Sequence, residues 1–326
     1  MKKTLTTILS GAYLSEESAY ETMLKLNHRE TTDEQIVALI TALQYRGLQL
    51  NELLGFRKAL LELALPIKLE AENTIDVCGT GGDGKNTFNV STTSAFVLAS
   101  LGYKVVKHGN YGVSSLCGSS TVLEALGYQF TADEQQLQQQ LDKHNICFLH
   151  APLFHPTLKR VAPLRKALGI PTFFNGIGPL VNPANPTHQL TGTYSLELAK
   201  HYQHVLHRTR KSYTVIHGMD GFDELTFIGS TRILSGNRDE LMHKSPIGKS
   251  VSLTTIQGGN SALESAKIVV AILQGKGTEA QNTVVAGNVA LAIQTFDASL
   301  SYNDAFFTAL EQLKSGMAVN HLQPNN

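Results

Sequence analysis

Residues 76–92 read Asp76-Val-Cys-Gly-Thr-Gly-Gly-Asp-Gly-Lys-Asn-Thr-Phe-Asn-Val-Ser-Thr92. Just upstream, Thr74-Ile75-Asp76-Val77-Cys78 is short and rich in β-branched residues, which predicts a strand. Downstream, residues 94–101 are apolar and closed by Gly102, which predicts a buried helix with a glycine stop. Between the two lie Gly79, Gly81, Gly82 and Gly84, interleaved with Thr80, Thr87, Asn89, Ser91 and Thr92. Glycines let an oxyanion approach backbone N–H groups, hydroxyls and amides add donors, and a helix N-terminus adds a positive dipole end. The plainer reading is a glycine-rich turn in which Ser91 or Thr92 merely caps a helix. So many small donors between one strand and one helix favour a phosphate cradle instead.

Two standard motifs fit this stretch in part. Residues 79–85 follow G-x-x-x-x-G-K, but Asn86 stands where a magnesium-binding Ser or Thr belongs. Residues 79–84 follow G-x-G-x-x-G, but a polar stretch delays the helix, and the next strand closes on Lys107 instead of an acidic residue. Asp83 inside a phosphate cradle calls for a cation or a ribose hydroxyl. A magnesium-bound phosphorylated sugar answers both.

Outward from this stretch, residues 1–66 are helical in pattern. Thr32-Asp33-Glu34-Gln35 has the capping-box form and leads into Ile36, Leu39, Ile40 and Leu43, with Gly47 as the stop. An earlier helix starts at Ser15, and Asn51 is placed to cap a further one that ends at Pro66. From residue 74 strands and helices alternate. Strands are predicted at 103–107, 146–149 and 212–216, and helices at 119–126, 133–144, 156–168, 196–206, 263–273 and 284–296. The first of these helices is capped by Ser119 or Ser120 in this reading. Such alternation argues for an α/β fold with a mostly parallel sheet.

Composition narrows the class. The chain has 326 residues, 42% hydrophobic and 17% charged, enough for a sizeable core and two domains. Lys+Arg and Asp+Glu both number 27, so no global basic field points to nucleic acid. The start Met1-Lys2-Lys3 runs into Thr4-Leu5-Thr6-Thr7, too polar for a signal-peptide core. No apolar run reaches the roughly 18 residues of a membrane span. Three scattered cysteines, Cys78, Cys117 and Cys147, suit a reducing cytoplasm better than a disulfide framework or a zinc site.

Two more loops belong to the same sheet edge. Residues 107–115, Lys107-His-Gly-Asn-Tyr-Gly-Val-Ser-Ser115, follow the second strand and supply a cation, donors and glycines. Ligands in open α/β sheets gather at the carboxyl edge, so two anion-suited loops there point to a polyphosphate. A lysine at a strand end is more often solvated, and a lone His108 more often structural. Asp223 and Glu224, in the segment after the strand at 212–216, are adjacent carboxylates able to hold magnesium; a solvated acidic turn is the plainer alternative.

Together these stretches resemble the anthranilate phosphoribosyltransferases of the nucleoside phosphorylase-like phosphoribosyltransferase family. The resemblance rests on Thr32-Asp-Glu-Gln-Ile36, Gly79-Thr-Gly-Gly-Asp83, Asn89-Val-Ser-Thr92, Lys107-His-Gly-Asn110, Val113-Ser-Ser115 and Val122-Leu-Glu-Ala-Leu-Gly127. It continues through His155-Pro156, Leu164-Arg-Lys166, Asn175, Gly178-Pro-Leu180, Asn182-Pro183 and Asp223-Glu224. It implies a small helical domain over 1–66, joined by helices within about 155–190, and a larger mostly parallel α/β domain over 70–326. The implied reaction transfers the phosphoribosyl group of phosphoribosyl pyrophosphate to anthranilate, the second step of tryptophan biosynthesis from chorismate. It also implies a cytoplasmic homodimer using two magnesium ions per subunit, with no nucleic-acid or membrane partner.

Residue by residue, the resemblance assigns Gly79, Gly82, Asp83, Thr87, Asn89, Ser91, Thr92, Lys107, Ser115 and Ser119 to phosphoribosyl pyrophosphate. Ser91, Asp223 and Glu224 go to the metal. Gly79, His108, Asn110, Arg165, Gly178 and Pro179 go to anthranilate, Arg165 offering a bidentate fork to its carboxylate. Catalysis is then electrostatic and positional, with no obvious general base, so departing pyrophosphate or water takes the proton. The chain departs from the family pattern at Tyr111-Gly112 and Pro171, where arginines are frequent, and at Leu116-Cys117, where lysine and serine are. These changes remove positive charge and bear most on acceptor selectivity. The alternatives are a pyrimidine nucleoside phosphorylase-like enzyme, which needs no metal pair, and a non-catalytic nucleic-acid-binding relative of the same fold, which would carry a basic surface.

Overall fold

A computed structural model describes residues 1–112, 117–209, 211–236, 238–249 and 251–322. Four helices come first: α1 Lys2–Leu9, α2 Glu16–Lys25, α3 Asp33–Arg46 and α4 Leu50–Glu62. Thr32 and Gln35 close a capping box on α3, and Gly47 ends it with φ 84°. On α4 the sequence reading is corrected: Gln49, not Asn51, is the N-cap, because Glu52 reaches back to the Gln49 N–H at 3.0 Å. Glu52 is fully buried, accepts from Leu14 N–H at 2.9 Å and pairs with Arg46 at 2.5 Å, which locks the α3–α4 corner.

The remaining elements alternate. They are β1 Thr74–Gly79, α5 Val90–Ser100, β2 Lys104–Gly109, α6 Ser119–Ala125, α7 Glu134–His144, β3 Ile146–His150, α8 Ala151–Phe154 and α9 Pro156–Leu168. After them come β4 His188–Gly192, α10 Leu196–Arg208, β5 Ser212–Gly218, β6 Thr231–Ser235, β7 Arg238–Met242, α11 Ala262–Leu273, α12 Glu279–Phe296 and α13 Tyr302–Ser315. Among the described residues the strands form one sheet in the order β3-β2-β1-β4-β5-β6-β7. Neighbours from β3 to β5 are parallel, and β6 and β7 are antiparallel. The mostly parallel α/β fold expected from the alternating pattern is thus present.

The chain builds β1, β2 and β3 outward in one direction, then returns to lay β4 on the other flank of β1. The strand order therefore reverses between β1 and β4, and a ligand crevice opens at the carboxyl ends beside such a reversal. α5 lies under it and is buried from Thr92 to Ala99, apolar around its circumference and packed among α12, α13 and the sheet.

A second core joins the N-terminal helices to later chain. Ile8, Met23, Ile36, Leu53 and Phe56 pack with Leu158, Val161, Phe173, Phe174, Tyr202 and Val205. Polar ties run the same way. Arg160 donates to the carbonyls of Leu26, His28 and Thr31, Asn27 Nδ2 donates to Thr157 Oγ1 at 2.6 Å, and Arg57 Nε donates to Leu180 O at 3.0 Å. Among the described residues no helix is long and apolar enough to cross a membrane.

Candidate active site

Three corrections to the sequence reading shape the site. α5 opens at Val90 with Asn89 as its N-cap residue, so the polar stretch does not delay the helix; Ser91 and Thr92 form its first turn. The cradle and the helix N-terminus are therefore contiguous, and the dipole end faces the loop. β2 runs on past Lys107 to Gly109, which places His108 on the strand. The cap of α6 is Gly118, not Ser119 or Ser120, because both hydroxyls are used elsewhere: Ser119 Oγ donates to Asn110 O at 3.4 Å and Ser120 Oγ is hydrogen-bonded to His150 Nδ1 at 2.9 Å.

The loop after β1 turns on Gly81, Gly82 and Gly84, all at positive φ. Its far side is held by Phe88 N–H donating to Ile256 O at 3.0 Å and Gly258 N–H donating to Asn86 O at 2.7 Å. Asn89 Nδ2 donates to Cys117 O at 3.0 Å, fastening the loops after β1 and β2 together. The segment after β5 closes the third side. Gly192 gives it room, since a Cβ there would lie 1.5 Å from the Asp223 carbonyl oxygen.

One cavity collects the described predicted residues. Gly79, Gly82, Asp83, Thr87, Asn89, Ser91, Thr92, Lys107 and Ser119 line it on the cradle side. His108, Asn110, Arg165, Gly178 and Pro179 line it on the side of α9 and the 178–180 turn, with Asp223 and Glu224 beneath. Ser115, together with Leu116, lies outside the described residues. Sequence reasoning missed the apolar wall of Ala151, Leu158 and Phe174. Its signal was faint, since these residues come from separate elements and none sits in a motif.

The charges are arranged with little water around them. Lys107 is 1% exposed, not a solvated strand end; its Nζ donates to Val77 O and to Ser91 Oγ, the latter at 3.4 Å. Asp223 is buried, not in a solvated turn. Burial first, then the neighbouring Asp83, pushes its carboxyl up to about 7. Burial and Asp223 likewise push Glu224 well above the ordinary range, against the pull of Lys107. Glu224 Oε1 accepts from the Ser91 N–H at 3.3 Å, and Asp83 Oδ2 is buried with no partner. Carboxylates crowded this way suit a cation, which would offset their mutual repulsion. Among the described residues no three His, Cys, Asp or Glu side chains form a metal site by themselves. A magnesium ion fits that donor set, because it is bound by one or two carboxylates and completed by substrate phosphate and water.

On the other side, Arg165 is held rigidly. Nε donates to Thr172 Oγ1 and Nη2 to Asn175 Oδ1, both at 3.0 Å, and the guanidinium lies over Phe174 at 5.6 Å. Burial lowers its pKa to about 10, so it stays charged at neutral pH. His108 hydrogen-bonds Gly178 O through Nδ1 at 3.2 Å, and burial, then His155, holds it neutral. Behind it, buried Asp76 accepts from His108 N–H at 3.2 Å and from Asn182 Nδ2 at 2.9 Å. The Cys78 thiol is pushed up to about 12 by burial and is no nucleophile. A cavity with a phosphate cradle at one end and a fixed guanidinium at the other can bring an anionic aromatic acceptor against a phosphorylated donor.

Comparison with known proteins agrees with this layout. Residues 71–319 match a family described as glycosyl transferase family, a/b domain, and residues 2–64 match the corresponding helical bundle domain. The chain is 47% identical over 321 residues to an anthranilate phosphoribosyltransferase of Christiangramia forsetii, covering 98% of this chain and 97% of the relative. It is 46% identical over 324 residues to one of Flavobacterium psychrophilum, covering 99% and 98%. Among solved structures it is similar to anthranilate phosphoribosyltransferase from Thermus thermophilus, with a TM-score of 0.88, 32% identity and coverage of 98% and 96%. The Saccharomyces cerevisiae enzyme in complex with PRPP and Mg superimposes with a TM-score of 0.87, 27% identity and coverage of 98% and 94%.

Proposed function

Because this chain belongs to the anthranilate phosphoribosyltransferase family, we propose that it transfers the phosphoribosyl group of phosphoribosyl pyrophosphate to anthranilate in tryptophan biosynthesis. The observation that carries the reading is one cavity in which the glycine cradle, the buried Lys107 and Asp223, the half-buried Asp83 and Glu224, and the fixed Arg165 all meet. The anthranilate nitrogen bonds to ribose C1, the C1–oxygen bond to pyrophosphate breaks with its electron pair, and the amine proton leaves to pyrophosphate or water. An arylamine needs no activation by a serine or cysteine, so the residues act by charge and placement.

The backbone N–H groups around residues 79–92 and the Lys107 ammonium face the donor's phosphates. Arg165 takes the acceptor carboxylate, and Asn110, His108, Gly178 and Pro179 hold the ring and amine in line with C1. Asp83, Asp223, Glu224 and the Ser91 hydroxyl would hold magnesium, which neutralises charge developing on departing pyrophosphate. Two ions per subunit, a cytoplasmic location and a homodimer paired through the helical unit complete the proposal; Leu9, Tyr13 and Tyr45 are exposed on that unit.

The test is to follow anthranilate fluorescence with phosphoribosyl pyrophosphate, with and without magnesium. Magnesium-dependent loss of anthranilate is expected. Calorimetric binding of the donor with no loss of anthranilate would overturn the acceptor assignment.

A further inference from the structure

Tyr111 stands apart from the other aromatic side chains of the cavity. Phe88 and Phe174 line it and are 2% and 3% exposed, whereas Tyr111 lines it and is 43% exposed. A large ring open at the rim of a crevice presents its apolar face to whatever the crevice holds. Yet the ring is not loose. Its hydroxyl donates to Glu124 Oε1 at 2.6 Å, and its backbone N–H donates to Asn110 Oδ1 at 2.8 Å. Its ring meets His150 edge-to-face at 4.8 Å, and His150 in turn stacks on Phe130 at 4.5 Å and 14°.

Two consequences follow from this bracing. The phenol O–H is consumed by Glu124, so Tyr111 offers the cavity its ring and not a polar group. The ring is also held before any ligand arrives, so little side-chain entropy remains to be lost on contact. Its chain neighbour Asn110 belongs to the half of the cavity that contains Arg165 and Gly178, opposite the phosphate cradle.

We propose that Tyr111 is a specificity-determining residue whose braced ring forms the outer wall against the benzene ring of an aromatic-acid acceptor. This deepens the reading of the same site as an anthranilate-using transferase and rests on it. An aromatic wall fixed at this position limits how far substituents on the acceptor ring extend toward the rim.

The experiment compares the full-length wild type with Tyr111→Ala and Tyr111→Phe, using anthranilate and three of its ring-methylated forms (3-, 4- and 5-methyl). Turnover of anthranilate by the wild type checks the underlying reading by itself; its absence removes that reading before Tyr111 is tested. Given that turnover, Tyr111→Ala should raise the anthranilate KM about tenfold while the donor KM stays within about twofold. Its kcat/KM for at least one methylated acceptor, relative to anthranilate, should rise by about tenfold or more. Tyr111→Phe keeps the ring, loses only the Glu124 bond, and should stay within about threefold of wild type on every acceptor. A rise in donor KM equal to that for anthranilate, or unchanged acceptor selectivity in a Tyr111→Ala protein with a wild-type melting temperature, would overturn the proposal. Should Tyr111→Ala fail to fold, Tyr111→Leu serves for the same selectivity measurement.

Discussion

The Asp223 carboxylate accepts a hydrogen bond from the Gly81 N–H at 2.6 Å, joining the loop after β1 to the segment after β5 across the intervening β4. A Cβ at Gly79 would lie 2.4 Å from the same carboxylate oxygen, so cradle and carboxylate are fitted to each other. Replacing both carboxylates, Asp223→Asn with Glu224→Gln, should lower magnesium-dependent turnover by about 100-fold or more. Because burial disfavours both charges, the double variant should melt no lower than wild type in metal-free buffer at pH 8. Unchanged metal dependence of the rate would move the ion elsewhere.

Arg165 is positioned by Thr172 and Asn175 before any acceptor binds. Arg165→Ala should raise the anthranilate KM by about 100-fold and the donor KM by less than about threefold. Arg165→Lys should recover only part of the loss, since a point charge cannot reproduce the fork. Steady-state kinetics with each substrate varied in turn separates these outcomes; equal effects on both KM values would remove Arg165 from the acceptor.

Two glycines of the site should answer differently to a methyl group. At Gly192 the Cβ would meet the Asp223 backbone at 1.5 Å, so Gly192→Ala must push the carboxylate segment away and should cost about 3 kcal/mol or more in denaturant melts. At Gly178 nothing lies within 4 Å of the added Cβ. Gly178→Ala should therefore fold with wild-type stability and register only in the anthranilate KM.

Asp76 supplies a pH signature. Burial, partly offset by Lys107, raises its carboxyl from the ordinary 3.8 to about 6, so the folded protein binds this proton more tightly than the unfolded chain. Its contribution to stability is present at low pH and falls as pH rises from about 4 to 6, then stays constant. Asp76→Asn removes that slope, so the stability of the variant relative to wild type should climb by on the order of 3 kcal/mol over the same interval. Chemical denaturation of both proteins at pH 4, 5, 6 and 7 gives the difference; parallel curves would mean that Asp76 does not titrate there.

How far the sequence reveals this site depends on where the deciding atoms lie. The cradle was legible because its glycines and hydroxyls are consecutive, and Lys107 because it ends an evident strand. β4 was not, although it is the strand beside which the order reverses. Its residues His188, Gln189 and Thr191 are buried polar groups, with Gln189 Nε2 donating to Pro179 O at 2.6 Å and to Thr191 Oγ1 at 2.8 Å. Such a strand has neither an apolar run nor an alternating pattern to announce it. The β6–β7 pair was hidden for the opposite reason: β7 reads Arg-Asp-Glu-Leu-Met and its middle is solvated. α13 buries Phe306, Ala309, Leu310 and Leu313, but polar residues interrupt its pattern, which is fainter than the nearly continuous apolar run of α12. The plainer readings of Lys107 and of Asp223 failed because loop and strand-end positions are solvated on average, and a ligand crevice is the exception.

The shared core of the N-terminal helices also sets an order of events at the ribosome. Helices α1 to α4 emerge first, yet Met23, Ile36 and Phe56 pack with Phe173, Phe174 and Tyr202, which are made more than a hundred residues later. Until those arrive, the first four helices expose an apolar flank with nothing to cover it. The nascent chain must carry that flank through the synthesis of β1, β2 and β3, and a chain stalled or cut before α9 would present it to chaperones and proteases.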